Sequence, residues 1–124
     1  MNFDLTPEQQ LMAESALAIG EHYGLEYWRD LDARKAFPQA FWQAVCDAGL
    51  SGVALPEQYG GAGQGMLEMA LIVENLSAGG GGATVGQLFM VNPIFGGVSV
   101  SKFASQEMKA ELLPRLINGD MLYC

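Results

Sequence analysis

The stretch Gly49-Leu50-Ser51-Gly52-Val53-Ala54-Leu55-Pro56-Glu57-Gln58-Tyr59-Gly60-Gly61-Ala62-Gly63 separates two helical patterns and sets the reading of the chain. Residues 51–65 form a turn-rich segment in which four glycines and a proline follow Leu55. Such a run calls for backbone conformations that a Cβ penalises. Upstream, Pro38 opens a helix over 38–48 whose face carries Phe41, Val45 and Ala48, with Trp42 beside it. Gly49 ends that helix as a left-handed cap, and Leu50 falls where a Schellman cap places its apolar contact. Downstream, 66–78 reads as a helix with Leu67, Leu71 and Val73 to Leu76 as its apolar residues.

Further out, the same signals repeat. Thr6, Pro7 and Gln9 have capping-box spacing, and Met12, Ala16, Ile19 and Tyr23 follow at helical spacing, which predicts a helix over 7–23. Glu26 to Lys35 is of mixed charge and reads as an exposed connection or a frayed extension. Gly79 to Gly82 break the chain before a helix over 83–91. Asn92-Pro93 reads as an N-cap and first helical position, opening a helix over 93–103. Ser105 caps a last helix over 106–118 carrying Met108, Leu112, Leu113 and Leu116, which Pro114 interrupts or divides and Gly119 ends. Only Met121 to Cys124 resembles a strand. The expectation is an all-α bundle of about six helices with short loops, spanning residues 1–120 without an internal linker or repeat.

Composition supports a packed domain: half of the 124 residues are apolar and 16% are charged. The net charge of −8, with six scattered basic residues, disfavours nucleic acid and anionic membranes. No run of apolar residues reaches the roughly 20 needed to span a bilayer. The start of the chain lacks the features of a signal peptide or a mitochondrial presequence, so a cytoplasmic location is expected. Cys46 and Cys124 form no metal-spaced cluster, and Cys46 sits in an apolar helical pattern as a small hydrophobe. No metal site is expected.

Catalytic signals are lacking. The glycines at 60–65 and 79–82 match neither a P-loop nor a dinucleotide fingerprint. His22, the sole histidine, reads as a surface or capping residue, and the carboxylates as solvation. On the residues alone, the chain is a soluble helical domain.

Three segments add a resemblance. The stretch from Gly49 to Gly63 resembles a signature of the acyl-CoA dehydrogenase family. Ser105-Gln106-Glu107-Met108-Lys109, Leu113-Pro114 and Asn118-Gly119-Asp120 are similar to that family's last N-terminal helix and the turn after it. Leu5-Thr6-Pro7-Glu8-Gln9-Gln10 is similar to its opening. The resemblance implies α,β-dehydrogenation of an acyl-CoA thioester to trans-2-enoyl-CoA. In that reaction FAD takes a hydride from Cβ and a glutamate takes the α-proton. It further implies an electron acceptor as partner, and a homo-oligomer is expected.

By that resemblance, residues 1–120 are the N-terminal helical domain, and 121–124 are the truncated start of a flavin-binding β-domain. No glutamate matches the catalytic one, so no catalytic residue is assigned, and the isolated chain is expected to be inactive and free of FAD. The helix from Ala83 to Val91 would line the far end of the acyl cavity. Gln87 and Val91, four apart on one helical face, are then the substrate-binding candidates, and Tyr123 the flavin-contacting one. Truncation would expose Leu88, Met90, Ile94, Phe95 and Val98. The alternative is a stand-alone helical module, derived from such a domain, that binds a partner polypeptide.

Overall fold

A computed structural model describes residues 3–123. Among them it shows six helices and no strand: α1 Pro7–His22, α2 Leu25–Arg34, α3 Gln39–Asp47, α4 Met66–Leu76, α5 Ala83–Phe103 and α6 Gln106–Asn118. A short 3-10 turn spans Glu57–Tyr59. The expected all-α architecture is the observed one.

Helix α1 starts where its capping box places it. The Gln9 N–H donates to Thr6 Oγ1 (3.2 Å), and the Thr6 N–H donates to Gln9 Oε1 (3.0 Å). Gln9 Nε2 also donates to Glu68 Oε1 (2.7 Å), and Glu68 Oε2 accepts the Gly65 N–H that starts α4 (3.0 Å). The Gln9 bond first, then the backbone donors, hold the Glu68 carboxyl below its ordinary range. The starts of α1 and α4 are thus tied together, and further along the helices Gly20 meets Gly79. Both links join residues 59 apart in sequence, so the two elements run parallel. A Cβ on Gly79 would lie 2.0 Å from the Gly20 carbonyl carbon, and one on Gly20 would lie 2.8 Å from the Leu76 oxygen. Backbone packs directly on backbone here, which only glycine permits.

The segment 51–65 is a compact knot of backbone bonds. Ala62 N donates to Gly52 O (3.0 Å), Gln64 N to Val53 O (2.9 Å) and Gly63 N to Leu55 O (2.9 Å). It is pinned to the end of α6 by buried Ser51, whose Oγ donates to Ile117 O (2.8 Å). Cys46 lies close by; burial raises its thiol pKa, a shift that the hydrogen bond to Ser51 partly offsets. The core joins Ala16, Phe41, Trp42, Val45, Val53, Met69, Ile72, Leu76, Val85 and Phe89.

Five expectations need correction. Glu26 to Arg34 is helical, and Lys35 caps the helix with φ +51°. Its mixed charge masks a stripe of Tyr27, Trp28 and Leu31, which packs towards α3 through edge contacts among Tyr23, Tyr27, Trp28 and Phe41. The buried face of α4 is Met69, Ile72 and Leu76, whereas Leu67 is exposed. Pro114 neither interrupts nor divides α6, which is continuous.

The fourth correction concerns 83–103. Asn92 caps nothing: the chain stays helical through Met90–Val98 in a π-helical register, with Pro93 inside. The wider i→i+5 turn accommodates a residue that has no N–H to give. The result is one helix of 21 residues, long and apolar enough by length and composition alone to cross a bilayer, contrary to the expectation that nothing approaches that length. Length and composition alone are weak evidence of a span; Val85, Phe89, Asn92, Pro93, Gly96 and Gly97 of α5 are buried, about a third of its apolar window. The tail Met121 to Tyr123 has no regular structure rather than a strand, and Cys124 lies outside the described residues.

Candidate functional site

Helix α5 can only start where it does because Gly81 and Gly82 precede it. Gly82 has φ +51°, and a Cβ on Gly81 would lie 2.5 Å from Val85 Cγ2 and 2.8 Å from the Trp28 ring. This turn seats the first residues of α5 against α2 and leaves one face of the helix open. Thr84, Gln87, Leu88 and Val91 lie on that face at helical spacing.

The tail after α6 supplies the opposite wall. The Tyr123 N–H donates to Asn92 Oδ1 (2.8 Å), and Asn92 Nδ2 donates to Leu88 O (3.2 Å). Buried Asn92 is therefore a clamp that fixes Tyr123 beside α5. Gly96 makes the close approach possible, because a Cβ there would lie 2.8 Å from Tyr123 Cβ.

Between these walls lies a groove of about 360 Å³, lined by Phe37, Thr84, Gln87, Leu88, Val91, Asn92, Leu122 and Tyr123. The three residues singled out from sequence, Gln87, Val91 and Tyr123, border this one concavity. Gln87 is exposed at its edge, so it needs no buried partner, and Tyr123 is half-exposed. No charged side chain lines the groove. Phe37, Thr84, Asn92 and Leu122 escaped the sequence reading. Asn92 was masked by its place before proline, whereas Thr84 carried a signal, standing three and seven residues before Gln87 and Val91. His22 is an exposed residue at the end of α1 with its ring against Tyr23. Among the described residues no cluster of metal-ligating side chains exists.

Comparison with known proteins identifies the family and the fold. Residues 6–120 match the family profile described as "Acyl-CoA dehydrogenase, N-terminal domain". The chain belongs to the acyl-CoA dehydrogenase family. An acyl-CoA dehydrogenase of Mycobacterium tuberculosis is 30% identical over 120 residues, covering 97% of this chain and 30% of the relative. The acryloyl-CoA reductase (NADH) of Anaerotignum propionicum is 27% identical over 123 residues, covering 98% of this chain and 30% of its own length. Among solved structures, butyryl-CoA dehydrogenase from Megasphaera elsdenii superposes with TM-score 0.84 at 24% identity, over 98% of this chain and 32% of that one. An acyl-CoA dehydrogenase from Bacillus anthracis, solved with FAD, gives TM-score 0.84 at 25% identity, over 97% and 20%. The acyl-CoA dehydrogenase domain described here spans about 30% of the length of its curated relatives.

The groove tests what a dehydrogenase of this kind would need. The trough is uncharged and largely apolar, which is compatible with an acyl chain, and the Tyr123 side chain that lines it is half-exposed. Pyrophosphate groups, present in both FAD and coenzyme A, call for cations or helix N-termini. No Lys or Arg lines the groove, so the lining itself offers those groups no cation.

Proposed function

We propose that this chain is the N-terminal, acyl-pocket domain of an FAD-dependent acyl-CoA dehydrogenase. Residues 1–120 form the helical domain, and the segment from Met121 leads towards a flavin-binding one. The enzyme converts an acyl-CoA thioester to the trans-2-enoyl-CoA, losing a proton from Cα and a hydride from Cβ. Bound FAD supplies the hydride acceptor, and an electron acceptor reoxidises it. This chain assigns no proton-abstracting residue, so its part is binding and positioning. Gln87 and Val91 shape the distal end of the acyl site, Asn92 holds the wall, and Tyr123 meets the flavin.

The observation that carries this reading is the convergence of Gln87, Val91 and Tyr123 on one uncharged groove in a domain of this family. The domain alone holds neither FAD nor activity, because half an open cleft leaves the reacting atoms in water. Met90 and Phe95 are exposed on α5, and Leu88, Ile94 and Val98 are half-buried, so the helix keeps an apolar face suited to further packing. That face supports self-association of the isolated domain and a homo-oligomeric enzyme.

The test is kcat/KM across a series of acyl-CoA lengths in the full-length protein. Apolar pockets discriminate by roughly 1–3 kcal/mol per methylene. Val91→Phe should lower kcat/KM for long chains more than for short ones, and Gln87→Ala should shift preference towards longer chains. If both variants keep the wild-type length profile with unchanged thermal stability, these residues do not bound the acyl site.

A further inference from the structure

A second cavity of about 330 Å³ lies across the start of α5 from the groove, lined by Leu25, Trp28, Leu31, Ala36, Pro38 and Thr84, with Arg29 and Asp32 completing it. Thr84 is the one residue lining both this cavity and the groove. Two features make it a shared wall. The close packing of Trp28 on Gly81 draws α2 against the turn before α5, which sets the second cavity directly beside the first turn of that helix. The segment 36–38 crosses the same place with its residues divided: Ala36 and Pro38 line the second cavity, and Phe37 lines the groove.

Thr84 also lies at the end of the groove remote from Tyr123. Tyr123 is held at Asn92, which lies eight residue steps along the helix from Thr84, about 12 Å at 1.5 Å per residue. A chain entering beside Tyr123 runs past Val91 and Gln87 and meets Thr84 last.

We propose that Thr84 is the partition that sets the longest acyl chain this domain accepts, and that the cavity beyond it, floored by Trp28, Leu31 and Pro38, is a latent extension of the acyl site. This rests on the acyl-pocket reading above and adds a specificity-determining residue to it. The partition acts by volume. Thr84 is exposed and belongs to neither hydrophobic core cluster, so its size can change without unfolding the domain. The occupant of the extension is the apolar tail of the acyl chain. Leu25, Trp28, Leu31, Ala36 and Pro38 give it an apolar lining; of its two charged residues, both exposed, Arg29 is turned to Glu26 at 3.0 Å and Asp32 stands at the solvent side.

The experiment measures equilibrium dissociation constants by calorimetry for saturated acyl-CoAs of increasing length, in the full-length protein and in Thr84→Ala, Thr84→Val and Thr84→Phe. In Thr84→Ala, the affinity ratio of the longest to the shortest chains should rise about tenfold, the scale set by removing one or two carbon-sized groups from an apolar wall. Thr84→Val, equal in size but without the hydroxyl, should keep the wild-type ratio, and Thr84→Phe should lower it. The proposal is overturned if Thr84→Ala leaves the ratio unchanged, or if Thr84→Val shifts it as Ala does. Val91→Phe, measured alongside, separates the two ideas. If it weakens long-chain binding while Thr84→Ala changes nothing, the acyl site stands and the partition falls. If neither variant alters binding, both fall.

Discussion

Replacing Gly79 with alanine puts a methyl group where the structure has no room. The added Cβ would lie 2.0 Å from the Gly20 carbonyl carbon and 2.4 Å from both the Glu21 nitrogen and the Gly20 oxygen. Carbon atoms meet at about 3.5 Å, so α1 and the turn after α4 must separate by more than an ångström. No flexible side chain can yield, because every one of those atoms is backbone. The displaced contact sits beside buried Ala16, Ile72 and Leu76, so separation also loosens the core. Overpacking of this kind costs about 1–3 kcal/mol and sometimes more, and the rigid neighbours put Gly79→Ala at the top of that range. A loss of about 3 kcal/mol is a large share of a stability of about 5–15 kcal/mol and lowers Tm by roughly 10 °C. Gly86→Ala is the internal control. It lies in α5 with nothing within 4 Å of an added Cβ, so it should stabilise by about 0.5–1 kcal/mol through helix propensity. Urea denaturation followed by circular dichroism reads both. A Gly79→Ala midpoint within error of wild type would refute the backbone-on-backbone packing.

Other outcomes follow from the same contacts. Asn92→Leu removes the bonds to Tyr123 N and Leu88 O, so it should cost about 1–3 kcal/mol and leave the tail more open to limited proteolysis, read by mass spectrometry of the digest. The Glu68 carboxyl is held below its ordinary value in the folded state, so its contribution is present above that value and lost as pH falls through the folded one. Glu68→Gln should therefore narrow the difference between stability at neutral and at acid pH, measured as urea midpoints against pH. With Met90, Phe95 and Phe103 exposed along α5, the isolated domain should sediment above its monomer mass as concentration rises, and a purely monomeric profile would contradict the proposed packing face.

Much of the fold is legible because the decisive signals are local. Thr6 and Ser105 read as caps, and each accepts the bond a cap predicts, from Gln9 N and Met108 N. Gly49 and Leu50 close a Schellman turn, with Gly49 N donating to Cys46 O and Leu50 N to Val45 O. Where the reading failed, tertiary packing overrode a local signal. The aromatic stripe of α2 gains its meaning from Phe41 on another helix, which a charged surface pattern conceals. Asn92-Pro93 has the form of a helix start, yet the bonds from Asn92 to Leu88 and Tyr123 hold it inside a helix. The site followed the same rule. Gln87 and Val91 are singled out by the family resemblance, with spacing adding only that they share a helical face, whereas Phe37 and Leu122 reach the groove from other parts of the chain. Nothing in their own neighbourhoods marks them.

Photoaffinity labelling with a short acyl-CoA bearing a diazirine at the ω-carbon tests the central claim most directly, using the full-length protein and mapping the adduct by peptide mass spectrometry. The ω-carbon of an acyl chain lying in this groove contacts the open face of α5. The account predicts adducts on the peptide containing Gln87 and Val91, suppressed by unlabelled acyl-CoA of the same length. Saturable labelling confined to peptides outside residues 83–91, with that segment unmarked, would contradict it.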